Sequence, residues 1–173
     1  MQSGIKAERL VELNANESYG AWSGAEISAF LAESHLPLRL SFQSRKGPII
    51  VPLWFAYNSG CLICCSPTES MLVTSLQANP DVAFDVSTND LPYRGVRGRG
   101  RASCSNAADN TRLEQLLTRY LGNAEGQLAQ WLLNRTESES VITIEPEWLT
   151  SWDFTQRMQD LPKIAERLPD SAL

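Results

Sequence analysis

Residues 37–102 read PLRLSFQSRKGPIIVPLWFAYNSGCLICCSPTESMLVTSLQANPDVAFDVSTNDLPYRGVRGRGRA, and the order of segments in this stretch decides the fold. Apolar runs of strand length stand at 37–42, 49–57, 61–66 and 82–86, and an Arg/Gly-rich run follows at 93–102. Hairpin-length links separate the early runs: Arg45-Lys46-Gly47-Pro48 and Asn58-Ser59-Gly60. Only residues 68–80 read as a helix, which Asn79-Pro80 stops. Closely spaced strands of this kind predict an antiparallel meander that closes into a small barrel. The fold class read here is mainly β (α+β), a six-stranded antiparallel barrel with flanking helices.

The run at 49–57 is apolar on both faces. One face carries Ile49, Val51, Leu53, Phe55 and Tyr57; the other carries Ile50, Pro52, Trp54 and Ala56. A barrel core explains only one of them, so a helix, a partner subunit or a flat ligand must cover the second. Pro52 donates no ladder hydrogen bond, which predicts an edge position or a bulge. An edge with an apolar outer face predicts a homodimer or a ligand surface.

Working outward, Ser23 and Glu26 have the spacing of a capping box, and Ile27, Phe30 and Leu31 follow at helical spacing, predicting a helix over 24–34. Pro37 blocks its continuation. Beyond residue 104, helices are expected from 109 or 110 to 121 and over 125–134, and a last strand over 141–144. Residues 1–22 read as an arm and 155–173 as a docked helix or a tail. A chain of 173 residues is one domain by length, spanning 1–173.

Net charge is −5, which disfavours nonspecific nucleic-acid binding. No apolar run reaches membrane-span length. The opening MQSGIKAERLVELN has no apolar signal core, so a cytoplasmic protein is expected. Cys61 and Cys64 form a CxxC, but positions three apart on a strand point to opposite faces, and no His or second CxxC completes a metal set. Cys61, Cys64, Cys65 and Cys104 therefore read as reduced thiols, as in a cytoplasmic protein.

Chemistry concentrates in two places. Arg97, Arg99 and Arg101 alternate with Gly98 and Gly100, so a strand sets all three arginines on one face. Three neighbouring cations call for anions: either Asp85 or Glu145, or a phosphate-bearing ligand. Gly98 and Gly100 read as sites of close backbone approach or of a bend. Ser66, Thr68 and Ser70 precede the helix start, where either Thr68 or Ser66 serves as the N-cap or the loop forms an anion site. The only histidine, His35, reads as a residue at a helix end, and no nucleophile–histidine set is present. An enzymatic activity would then rest on a cofactor.

Residues 26–102 and 141–154 resemble the pyridoxamine 5'-phosphate oxidase-like flavin-binding split barrels. The resemblance rests on Arg39-Leu40-Ser41, Val51-Pro52-Leu53-Trp54-Phe55, the loop and helix from Ser66 to Asn79-Pro80, and the run from Tyr93 to Ala102. It implies a homodimer binding FMN between subunits, with an oxidoreductase activity on an unknown substrate. It also implies that Arg39, Leu40 and Ser41, with Pro52, Leu53 and Trp54, flank the isoalloxazine. Ser66, Thr68 and Ser70 would meet the phosphate, and Trp152 resembles a C-terminal aromatic that meets the cofactor. The family's helix start commonly reads Ser-Arg-Lys; here the register gives Ser70-Met71-Leu72. Arg39, Arg97 and Arg99 are then the candidate replacements. A deazaflavin coenzyme, haem, or a non-catalytic binding role are the alternatives within the same fold.

Overall fold

The computed structural model describes residue 13 and residues 17–106, 111–123, 125–134 and 138–159. The strands are β1 (Ser18–Tyr19), β2 (Trp22–Ser23), β3 (Leu38–Ser44), β4 (Gly47–Leu53), β5 (Phe55–Asn58), β6 (Cys61–Pro67), β7 (Asp81–Ser87), β8 (Arg94–Asn106) and β9 (Glu139–Asp153). The helices are α1 (Gly24–Glu33), α2 (Met71–Ala78), α3 (Thr111–Leu121) and α4 (Gln127–Leu133).

Strands β3 to β9 form one antiparallel sheet in the order β4-β3-β7-β8-β9-β6-β5. Its two end strands are consecutive in the chain, interrupted only at Trp54. One long run, 47–58, therefore pairs with β3 through its first half and with β6 through its second. Counting that run once gives the expected six strands, and the sheet curls into a split barrel. The interruption has a local cause: the Phe55 N–H donates to the Tyr120 hydroxyl at 3.3 Å. Pro52 lies on β4, an end strand, opposite Arg39, so its missing N–H removes no ladder bond.

Alternation fills the barrel. Leu38, Leu40 and Phe42 of β3 point inward and are buried, as are Val82, Phe84 and Val86 of β7. Helix α1 adds Ile27 and Leu31, and α2 adds Leu72, Val73 and Leu76 to the same core. Each such side chain contributes about 1.5–3 kcal/mol by leaving water. The capping box of α1 forms as expected: Ser23 Oγ accepts from the Glu26 N–H at 3.3 Å, and the Glu26 carboxylate accepts from the Ser23 N–H at 2.8 Å. That bond from the Ser23 backbone holds the Glu26 carboxyl below its usual range. The hairpin at Ser59-Gly60 also forms, with φ of 50° and 82°.

Three sequence readings differ from the structure. The last strand is not confined to 141–144 but runs to Asp153. Pro146 is tolerated because β9 pairs with β6 only as far as Ile144, so its missing N–H removes no bond to β6. Opposite β8, a bulge between Arg99 and Gly100 accommodates Glu147. The described part of the N-terminal arm is a hairpin, β1–β2, tied to β9 by the Ser151 hydroxyl, which donates to Tyr19 O at 2.7 Å and accepts from the Trp22 N–H at 2.9 Å. Of the expected tail, residues 160–173 lie outside the described residues, and a short 3-10 turn occupies Gln156–Met158.

Candidate functional site

Strand β8 sets Arg97, Arg99 and Arg101 outward and buries Val96, Gly98, Gly100 and Ala102. The three cations have different fates. Arg101 pairs with Asp81 at 2.9 Å on the exposed surface. Arg97 faces Asp85 across the ladder, yet Asp85 is taken by Arg39 at 3.1 Å. Arg39 also donates to Ser87 Oγ at 3.2 Å and to the Asn89 side chain. Arg97 and Arg99 have no carboxylate partner among the described residues. They lie instead over indoles, Arg97 at 5.5 Å from the Trp152 centroid and Arg99 at 6.0 Å from that of Trp148.

The register shows why a groove forms there. One rung of the sheet reads Pro52–Arg39–Asp85–Arg97–Thr150, and the next reads Ile50–Ser41–Ala83–Arg99–Trp148. Ser41 and Ala83 are small, so the second rung sinks between Ile50 on one side and Trp148 on the other. The result is a groove of about 580 Å³ with a largely apolar lining and Arg39, Arg97 and Arg99 along it. Its volume is within the range of small-molecule sites.

A second depression, of about 310 Å³, lies where α3 and α4 cover the outer side of β4 and β6. Pro52, Leu53, Trp54, Cys65 and Pro67 line it from the barrel, and Leu113, Leu116 and Leu132 from the helices. Trp54 stacks on Tyr120 of α3 at 5.1 Å and 8°. The second face of the 49–57 run is thus divided: a helix of the same chain covers Trp54, while Ile50 stays 69% exposed. Burial first, then the Glu139 carboxylate, push the Cys65 thiol up to about 11, so it stays protonated near neutral pH. The two depressions adjoin on β4, since Ile50 lines one and Pro52, two residues on along the same face, lines the other.

The remaining sequence candidates separate. Leu40 is fully buried, its side chain in the core. The loop hydroxyls are engaged internally. Ser70 is the N-cap of α2, accepting from the Val73 N–H at 3.2 Å; Ser66 and Ser70 hydroxyls are 3.1 Å apart, and Thr68 meets Ser140 at 2.9 Å. The cap is thus Ser70 rather than Ser66 or Thr68. Ser41, Arg39, Arg97 and Arg99 come together in the groove, with Trp152 beneath Arg97. Trp148, 47% exposed, is the groove's indole, and the sequence reading did not select it; nor did it select Ala83 or Phe84. The signal for Trp148 was its even spacing from Trp152, legible only if the strand continues past Pro146. His35 packs edge-on to Tyr120 at 6.2 Å, away from the groove. Near it, Arg119 of α3 donates to the carbonyls of Leu31, Ala32 and Ser34, closing the C-terminal end of α1.

An antiparallel split barrel with an arginine-lined groove on its outer face defines the class. The pyridoxamine 5'-phosphate oxidase family profile matches residues 23–150, and the chain belongs to that family. No curated protein matches the sequence. Among solved structures, a conserved hypothetical protein from Mycobacterium tuberculosis is 21% identical with a TM-score of 0.66, covering 92% of this chain and 100% of its own. An F420 reductase is 24% identical with a TM-score of 0.59, covering 69% of this chain and 93% of its own. A FAD-binding protein from Mesorhizobium loti is 19% identical with a TM-score of 0.53, covering 75% and 91%. At these identities the likeness is one of fold.

Proposed function

We propose that the protein is a flavin-dependent oxidoreductase, active as a homodimer in the cytoplasm, with FMN as its coenzyme. The observation that carries this reading is the pair Arg97 and Arg99, without carboxylate partners, beside an apolar groove of a size for a flat ring. Arg99 would hold the phosphate, with Arg97 further along β8, Ser41 and Ala83 would floor the ring, and Ile50 and Trp148 would flank it. A bound flavin supplies two-electron exchange with a substrate. The chain's own part is to bind and orient the coenzyme and to keep water from its apolar side. Reduced Cys61, Cys64, Cys65 and Cys104 fit the cytoplasm. Haem is less well supported, because the chain's one histidine packs against Tyr120 rather than in the groove.

A second reading, a deazaflavin coenzyme, is favoured by where the cations stand. Helix α2 begins Met71-Leu72 and its preceding hydroxyls bond one another, so the start of α2 offers a phosphate no charge. The anchoring charge has moved to β8, which suits a coenzyme whose anionic part lies elsewhere than in the family's usual place.

Titration of FMN, riboflavin and a deazaflavin coenzyme into apoprotein tests these readings. FMN is expected to quench tryptophan emission, chiefly that of Trp148, and a Trp148→Phe variant is expected to lose most of the change. No change at saturating concentrations of any of the three would overturn the flavin reading. Assembly is tested separately. With Ile50 69% and Trp148 47% exposed on one open face, light scattering is expected to give twice the 19.2 kDa chain mass. A folded monomer would remove the homodimer from the proposal.

A further inference from the structure

We infer that the arginine pair recognises a ligand bearing two separated anionic groups, one at each arginine, rather than a single phosphate shared between them. The inference rests on the groove being a binding site and goes beyond the FMN reading.

Adjacent outward positions on a strand lie about 7 Å apart, close enough for two long arginines to converge on one phosphate. Here the indoles of β9 draw them apart. Arg99 lies over Trp148, its direct cross-strand partner. Arg97 is opposite Thr150 but leans past it to Trp152, away from Arg99. Trp148 and Trp152 share one face of β9 four residues apart, about 13 Å along an extended strand. The two guanidinium groups are therefore drawn apart, Arg99 toward Trp148 in the groove wall and Arg97 toward Trp152 beyond it. A guanidinium over an indole can still donate from its N–H edges.

Their neighbours do not neutralise them. Asp85, the nearest carboxylate in register, is held by Arg39 and by the Ser87 hydroxyl at 2.6 Å. Arg101 has its own partner in Asp81. The site thus presents two cations without carboxylate partners among the described residues, leaning apart along β8 beside an apolar groove. A matching ligand has an apolar or aromatic span and an anionic group, phosphate or carboxylate, at either end, on the order of 10 Å apart.

Ring-free probes test this without assuming a flavin. Alkane-α,ω-bisphosphonates with spacers from ethane to decane would be titrated against the full chain, with inorganic phosphate as the single-anion reference. Calorimetry and the emission of Trp148 and Trp152 provide the readout. Affinity is expected to peak at hexane to octane spacers, up to about 100-fold above inorganic phosphate. Arg97→Gln and Arg99→Gln should each return the best probe to the level of inorganic phosphate, with an unchanged melting temperature. Dicarboxylates of the same lengths show which anion the arginines prefer. An optimum at the shortest spacer, a flat dependence on length, an Arg97→Gln variant that binds normally, or no binding by any probe would each overturn the inference. FMN failing to bind while a long bisphosphonate does would remove the flavin reading alone; FMN binding with no spacer preference would remove this one alone.

Discussion

FMN binding is expected to weaken by about 10- to 150-fold when Arg99 is replaced by alanine, while riboflavin, the same ring without the phosphate, binds as before. The magnitude follows from a charge-assisted contact of roughly 1.5–3 kcal/mol. The selectivity follows from position: Arg99 is outward, exposed, 6.0 Å from the Trp148 ring centroid, and engaged with no carboxylate among the described residues. Removing it breaks no ion pair within the fold, so stability should stay nearly constant. Wild-type affinity for FMN should fall as salt is raised, and that for riboflavin should not. Isothermal titration of both ligands against both proteins decides the matter. Equal losses for the two ligands would mean that Arg99 supports the groove or an interface instead of the phosphate.

Gly100→Ala should have the largest effect on stability. Gly100 faces the bulge in β9, and a Cβ built there stands 2.1 Å from Glu145 O, with Glu145 C and Pro146 Cα at 2.9 Å. All three atoms are backbone, so nothing can swing aside. The ladder between β8 and β9 must shift, at a cost of about 3 kcal/mol or more. For a chain of this size that lowers the melting temperature by roughly 6–12 °C. Gly126→Ala provides the control, since nothing lies within 4 Å of its Cβ position and its φ is −65°. A melting temperature for Gly100→Ala within a degree or two of the wild type would contradict the bulge geometry.

Much of this was legible in the sequence because it depends on period alone. The two-residue alternation of β8 determines which face holds the arginines and which holds Val96, Gly98 and Gly100. Pro52 marked an end strand, and Ser23 with Glu26 marked the start of α1. The close-approach reading of the glycines also matches their surroundings. What escaped the sequence depends on pairing between distant segments. Asp85 was a plausible partner for the arginine row, and the ladder sets it opposite both Arg39 and Arg97, but its ion pair is with Arg39. Trp54 looked like part of an open face, and only the docking of α3 shows that it is covered. Trp148 was passed over because the last strand was read to end at 144; the strand continues past Pro146, where β9 no longer pairs with β6. A hydroxyl-rich loop before a helix reads equally as a cap or an anion site, and the hydrogen bonds of Ser66, Thr68 and Ser70 account for it as loop and cap structure.

Pairing of β6 with β9 joins Leu62 to Ile144, positions 82 residues apart in the chain (144 − 62). The hairpins β3–β4 and β5–β6 close over a few residues and form in microseconds, but this seam waits for nearly half of the chain. Topologies dominated by such distant pairings fold in milliseconds to seconds. Throughout that interval the apolar run CLICC of β6 has neighbours on one side only. It is then the segment most open to pairing with another copy of the chain, so refolding yield should depend on protein concentration even where the finished barrel is stable.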